Sequence, residues 1–190
     1  LNKHVWFHEN SRGTLYSAVR VSFAMSYWKS LGEKYPPAKE KLFSLRDAAE
    51  NSLLDGKGGA IDFSEVAAVN QTYAQEEKTT ELFQKLADKS PGTAKECVFF
   101  ARDPLLKQKK YQLYLKFAPS PDWLYENWER LWNLDASNSN KDNQKTTRTI
   151  ALNNIRLLIE ALVGTDQMDK ALEFQKKALE LTQDKSLESA

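Results

Sequence analysis

A single cysteine, Cys97, stands among the 190 residues, so no intrachain disulfide can form and the fold must be held by packing. One thiol is compatible with a reduced compartment. Long apolar runs are also missing: none reaches the roughly 18 residues that a spanning helix needs, so no transmembrane segment is expected. No signal sequence stands at Leu1. Because that residue is not methionine, a removed leader stays open, and the cytoplasm is favoured with export as the alternative. Neither sign of charge dominates, since 27 Lys and Arg face 26 Asp and Glu. The chain therefore has no global field to draw in nucleic acid or an acidic membrane, and any charged binding must be local.

Histidine is nearly as scarce as cysteine. The two present, His4 and His8, lie four apart beside Glu9, so a helix would put both on one face, as a zinc site requires. No third ligand is in reach, because the only thiol is far along the chain. The plainer reading is a helical lead-in whose Val5, Trp6 and Phe7 pack on the next helix. With both histidines at one end, a Ser-His-acid triad has little to draw on. No catalytic residue, cofactor or metal is expected, and an enzyme is the less favoured class. Glycines are few, and three fall in Asp55-Gly56-Lys57-Gly58-Gly59. That stretch lacks the GxxxxGK[ST] spacing and a preceding strand, so it reads as a flexible joint without chemistry.

What the chain does have is helical periodicity. Ile155, Leu158, Ile159 and Leu162 recur at helical spacing, the chain breaks at Gly164-Thr165-Asp166, and Met168, Ala171, Leu172, Ala178, Leu179 and Leu181 follow. Two amphipathic helices on a short turn account for this, with Ala171 and Ala178 where the partner helix comes close. Such a pair cannot hide its apolar faces alone and needs neighbours of its own kind.

The wording KALEFQKKALEL from Lys170 to Leu181 resembles a tetratricopeptide repeat, a helix-turn-helix unit of about 34 residues that stacks into a superhelix. The match is degenerate, with Ile155, Leu158-Ile159 and Leu162 at the signature places and Gln183 where the terminal proline belongs. Phe63, Val66 and Ala67 follow the bulky, apolar, small order of the repeat's first helix, and Cys97, Phe100 and Ala101 repeat it 34 residues on. Phe117 answers Phe83 in the same way. The resemblance implies an all-α fold of stacked antiparallel hairpins in one domain over 1–190, with hairpins at about 14–54, 62–89, 94–118 and 148–182 and one inserted helix at about 121–134.

Along the chain, Leu15, Val19, Phe23, Met25, Tyr27, Trp28 and Leu31 predict one helix from Thr14 to Gly32, and Ala38, Leu42, Leu45 and Ala49 the inner face of the next, started by Pro37. Asp62 is the favoured cap of the following helix, with Glu65 completing a capping box. Pro104 should kink that hairpin's successor or end its helix at Asp103. Lys107, Lys109 and Lys110 before Tyr111, Tyr114 and Phe117 suit a nucleic acid backbone and its bases. The favoured reading is a buried aromatic face with the lysines in a turn. Residues 121–134 carry Trp123, Trp128 and Trp132, a packing stripe or a ligand pocket; Asp135 to Thr147 reads as a solvated, mobile loop, and Asp184 to Ala190 as a polar tail.

Function follows from the resemblance. The groove of such a stack is lined by the exposed faces of the first helices, here Arg20, Tyr27, Glu65, Lys95, Arg102, Asn153 and Arg156. Four of these are cations, which suits an acidic or carboxylate-terminated peptide held by guanidinium groups. The expectation is an interaction scaffold for a protein or peptide, with ordinary solvated side chains as the plainer account of these residues. The alternative is a small-molecule-binding or enzymatic domain built on the tryptophans.

Overall fold

In the computed structural model, which describes residues 1–134 and 141–183, every regular element is an α-helix and no strand occurs among the described residues. The all-α expectation holds. In order the helices are α1 (Asn2–Asn10), α2 (Ser17–Arg20), α3 (Phe23–Lys34), α4 (Pro36–Leu54), α5 (Ala60–Thr72), α6 (Glu76–Lys89), α7 (Pro91–Lys107), α8 (Tyr111–Phe117), α9 (Pro121–Leu134), α10 (Lys141–Val163) and α11 (Met168–Thr182). They fall into two units, Leu1–Pro104 and Leu105–Ala190, so the boundary lies inside α7 and the expected 94–118 hairpin is shared between units.

In the first unit, neighbouring helices and next neighbours pack together: α3 on α4 and α5, α4 on α5 and α6. Pro36 stops α3, because the residue before a proline is pushed out of the helical region, and the proline ring then opens α4. Met25, Trp28, Ala38, Leu42 and Val69 form the core cluster, with Val5, Leu31 and Leu45 packed at its edge. Between α4 and α5, Gly56 has φ +73°, and a Cβ on Gly58 would meet the Leu53 backbone nitrogen at 2.9 Å. The joint is closed by the Lys57 and Gly58 amides, both donating to the Ser52 carbonyl at 2.9 Å.

Several expectations need correction here. The helix predicted over Thr14 to Gly32 is two helices, α2 and α3, and α3 runs on to Lys34. Leu15, Val19, Phe23 and Tyr27 are exposed, as is Trp6; on α3 the buried side is set by Met25, Trp28 and Gly32, which leaves Phe23 and Tyr27 outward. Asp62 is not the cap of α5. It stands in the first turn and accepts the amide of Gly59, the true cap, at 3.0 Å. α7 neither ends at Asp103 nor restarts; it continues through Pro104 to Lys107. Phe100 is exposed where Val66, its counterpart 34 residues earlier, is buried.

In the second unit, α10 packs on α8, α9 and α11. Ile155, Leu158, Ile159 and Leu162 are buried, as the periodicity required. On α11 the buried stripe is Ala171, Phe174 and Ala178, while Met168 and Leu172 stay exposed. α10 begins at Lys141, so 141–147 is helix rather than loop, and 135–140 and 184–190 lie outside the described residues. Tyr111, Tyr114 and Phe117 are buried, and Tyr111 donates its hydroxyl to Glu160 at 2.5 Å. Gly164 leaves the room this needs, since a Cβ there would overlap the Tyr111 ring. Gly164→Ala should therefore destabilise the second unit by about 1–3 kcal/mol in urea titration, the cost of overpacking a filled site. That loss should shrink when Tyr111 is also made leucine.

Candidate functional site

Two of the groove residues meet, but not on an open surface. Arg20 ends α2, Glu65 sits one turn into α5, and each is 3% exposed. The Arg20 guanidinium donates from Nη2 to Oε2 of Glu65 at 2.5 Å and from Nε to the His8 carbonyl at 2.7 Å. His8, brought over by α1, bonds the other Glu65 oxygen, Oε1, through Nε2. Beside this cluster Arg12 donates to Asp62 at 2.6 Å. Asp62 and Glu65, three apart on α5, thus hold two arginines from the segment that precedes α3. The cluster borders a pocket of about 350 Å³ whose other walls include Glu9, Leu45, Ala48 and Ser52.

The electrostatics follow from burial. Desolvation alone would raise the Glu65 carboxyl, but the hydrogen bonds and charges of His8 and Arg20 outweigh it and hold it below the ordinary 4.5. The carboxylate is thus ionised and paired at neutral pH. His8 resembles the orienting half of a carboxylate-imidazole couple, yet its Nδ1 is fully covered and meets no hydrogen-bond partner. Through these bonds the cluster fastens α1 and α2 onto α5. Cys97 is inert as a nucleophile. Burial first, then the charges of Glu96 and Asp62, push its thiol up to about 12.

His4 and His8 share a face as the spacing required, but both rings pack on Trp28, with centroids 5.7 and 5.4 Å away. Among the described residues no group of three or more His, Cys, Asp or Glu is placed to hold a metal. The remaining groove residues fall in both units. Tyr27 and Lys95 are exposed on the first unit, where Arg102 pairs with Asp103 at 2.7 Å; on the second, Asn153 is exposed and Arg156 half-buried. Of the tryptophans, Trp123 is 48% exposed, and Trp132 alone borders the pocket of about 400 Å³ formed with Gln144, Lys145, Arg148, Thr149 and Leu152. The Arg148 guanidinium stands 5.3 Å from the Trp132 ring centre. Lys109, Lys110 and Lys116 line a further hollow of about 430 Å³, but Tyr114 and Phe117 are buried and cannot stack on bases there.

One surface had not been singled out by sequence reasoning. From Thr14 to Trp28 the only charged side chain is Arg20, and Arg20 is buried against Glu65. The outside of this segment therefore carries no charge at all. What it presents is Leu15, 98% exposed, with Tyr16, Val19, Phe23 at 71% and Tyr27 at 69%. The signal was available as a stretch of fifteen residues with one charge. Periodicity assigns its apolar residues to a core, because spacing alone does not say which of two apolar faces is covered. Compared with known proteins, the chain matches no family model, no curated protein and no solved structure.

Proposed function

We propose that the protein is a helical interaction module that holds a partner protein through the uncharged, aromatic face of Leu15, Tyr16, Val19, Phe23 and Tyr27. The observation that carries this reading is their exposure in a segment whose single charge is withdrawn into the interior. Depletion of charge with enrichment in aromatics marks the centre of protein interfaces, and isolated chains rarely leave so many apolar side chains of one short segment exposed to water. The tetratricopeptide-like reading belongs to the same proposal. It is supported by the packing of α3 on α4 and α5 and of α4 on α5 and α6, as a serial stack needs. The groove of cations is set aside in this reading, since Arg20 is spent on Glu65.

The test replaces Leu15, Phe23 and Tyr27 by aspartate together and compares captured partners with those of wild type. Because all three are exposed, folding stability should change by no more than about 0.5 kcal/mol per site, while the partner is lost. An unchanged set of partners in a folded triple variant would remove this face from the function. Arg102→Glu with Arg156→Glu serves as the contrast: it should leave capture intact, and a loss there instead would restore the cationic groove.

A further inference from the structure

The second unit holds a hollow that the interaction reading does not use. Gln144, Lys145, Arg148, Thr149 and Leu152 share one face of α10, and with Trp132 of α9 they border about 400 Å³. Two of these six side chains are cations and none is an acid. Cations on a helix surface would by themselves say little, since most are simply solvated.

What sets this hollow apart is the state of Arg148. The residue is half-buried, its guanidinium stands 5.3 Å from the centre of the Trp132 ring, and its Nε is covered by protein without a hydrogen-bond partner. The side chain enters no ion pair among the described residues. Arg20, Arg46 and Arg102 are buried or half-buried as well, and each of them bonds a carboxylate. A charge drawn partly out of water needs a counter-charge, because desolvation penalises the ion until an anion meets it. Arg148 has none, and it borders a hollow whose walls supply none.

We propose that this hollow binds an organic carboxylate with an aromatic or apolar body. Its oxygens meet the Arg148 guanidinium, whose planar fork matches a carboxylate, the Lys145 ammonium adds charge at the rim, and the body covers Trp132 and Leu152. The indole holds the guanidinium in place, so little side-chain freedom is lost on binding, and a cation partly shielded from water attracts an anion more strongly than one in bulk solvent. Inorganic phosphate fits less well, having no apolar part to set against the tryptophan and the leucine.

The experiment titrates the whole chain calorimetrically at low ionic strength with phenylacetate, a free acid, and with acetyl-Gly-Gly-Phe, which carries its carboxylate at a peptide's end. Saturable, salt-sensitive binding is expected. It should weaken by about tenfold or more in Arg148→Met, as the charge-assisted bonds are lost, and by about threefold in Lys145→Met, whose charge is exposed. Melting temperatures confirm that the variants fold. Phenylacetamide, the neutral counterpart, tests the charge on the wild-type chain itself and should bind about tenfold more weakly than phenylacetate. Binding of the peptide alone identifies a partner's chain end as the source, and binding of phenylacetate identifies a free acid; either upholds the site. Failure of both acids to bind, equal affinity for phenylacetamide, equal affinity in folded Arg148→Met, or displacement of both acids by equimolar phosphate would overturn it. Undiminished binding by Lys145→Met would remove the lysine from the site.

Discussion

Glu65→Ala is expected to cost the first unit about 3–5 kcal/mol, the usual penalty when one member of a buried ion pair is removed and its partner stays behind. Arg20, 3% exposed, would keep its charge with no carboxylate to meet it, and His8 would lose the acceptor at Nε2. Hydrogen exchange of the α5 amides reads the loss, because α5 is the element to which α1 and α2 are fastened. Replacing both partners, Arg20→Met with Glu65→Leu, should recover much of it, since no unpaired charge then remains. If the double variant is as unstable as the single one, the cluster matters through its shape and not its charge.

The same pair sets a pH dependence. Glu65 titrates below 4.5 when folded and near 4.5 when unfolded, so the unfolded chain takes up a proton first as the medium turns acid. The stabilisation is therefore complete at pH values above 4.5 and is lost as the pH falls through the lower, folded value. Glu65→Gln cannot titrate there. The stability gap between wild type and Glu65→Gln should accordingly narrow on acidification, and a gap that stays constant down to about pH 3 would contradict the pairing.

How much of this could be read in advance differs from helix to helix. The α10 and α11 hairpin was plain, because Ile155, Leu158, Ile159 and Leu162 make one stripe and all are buried. On α11, periodicity groups Met168 and Leu172 with Ala171 and Ala178, yet they point away while Phe174 fills the core. Apolar residues on two sides of one helix give the same count whichever side is covered. α3 repeats this with larger consequences, since Phe23 and Tyr27 lie opposite Met25 and Trp28. Of the buried cluster, only half was accessible. Arg20, the one charge in a stretch of fifteen residues, signals a charge that must be paired if it is buried. Its partner lies 45 residues away, and no local rule links the two.

Trp28→Ala should have the other large effect, about 3–5 kcal/mol by lost contact and cavity together. The ring is 1% exposed at the centre of the Met25, Ala38, Leu42 and Val69 cluster, and its indole N–H donates to the Ala38 carbonyl at 2.9 Å. It also reaches outward: His4 packs over it at a tilt, and His8 meets its edge at 87°. Removing it therefore takes away the floor on which α1 rests as well as the core of α3 and α4. Trp28→Phe separates the two roles. A phenyl ring keeps a surface for the histidines but drops the N–H that bonds the Ala38 carbonyl, which keeps its place in the α4 ladder, so the lost bond costs about 0.5–1.5 kcal/mol. If α1 is held mainly by these ring contacts, its amides should exchange faster in Trp28→Ala than the rest of the unit, and nearly as in wild type in Trp28→Phe. Uniform exchange across both variants would mean that the Glu65 cluster alone secures α1, and that Trp28 serves only the core beneath it.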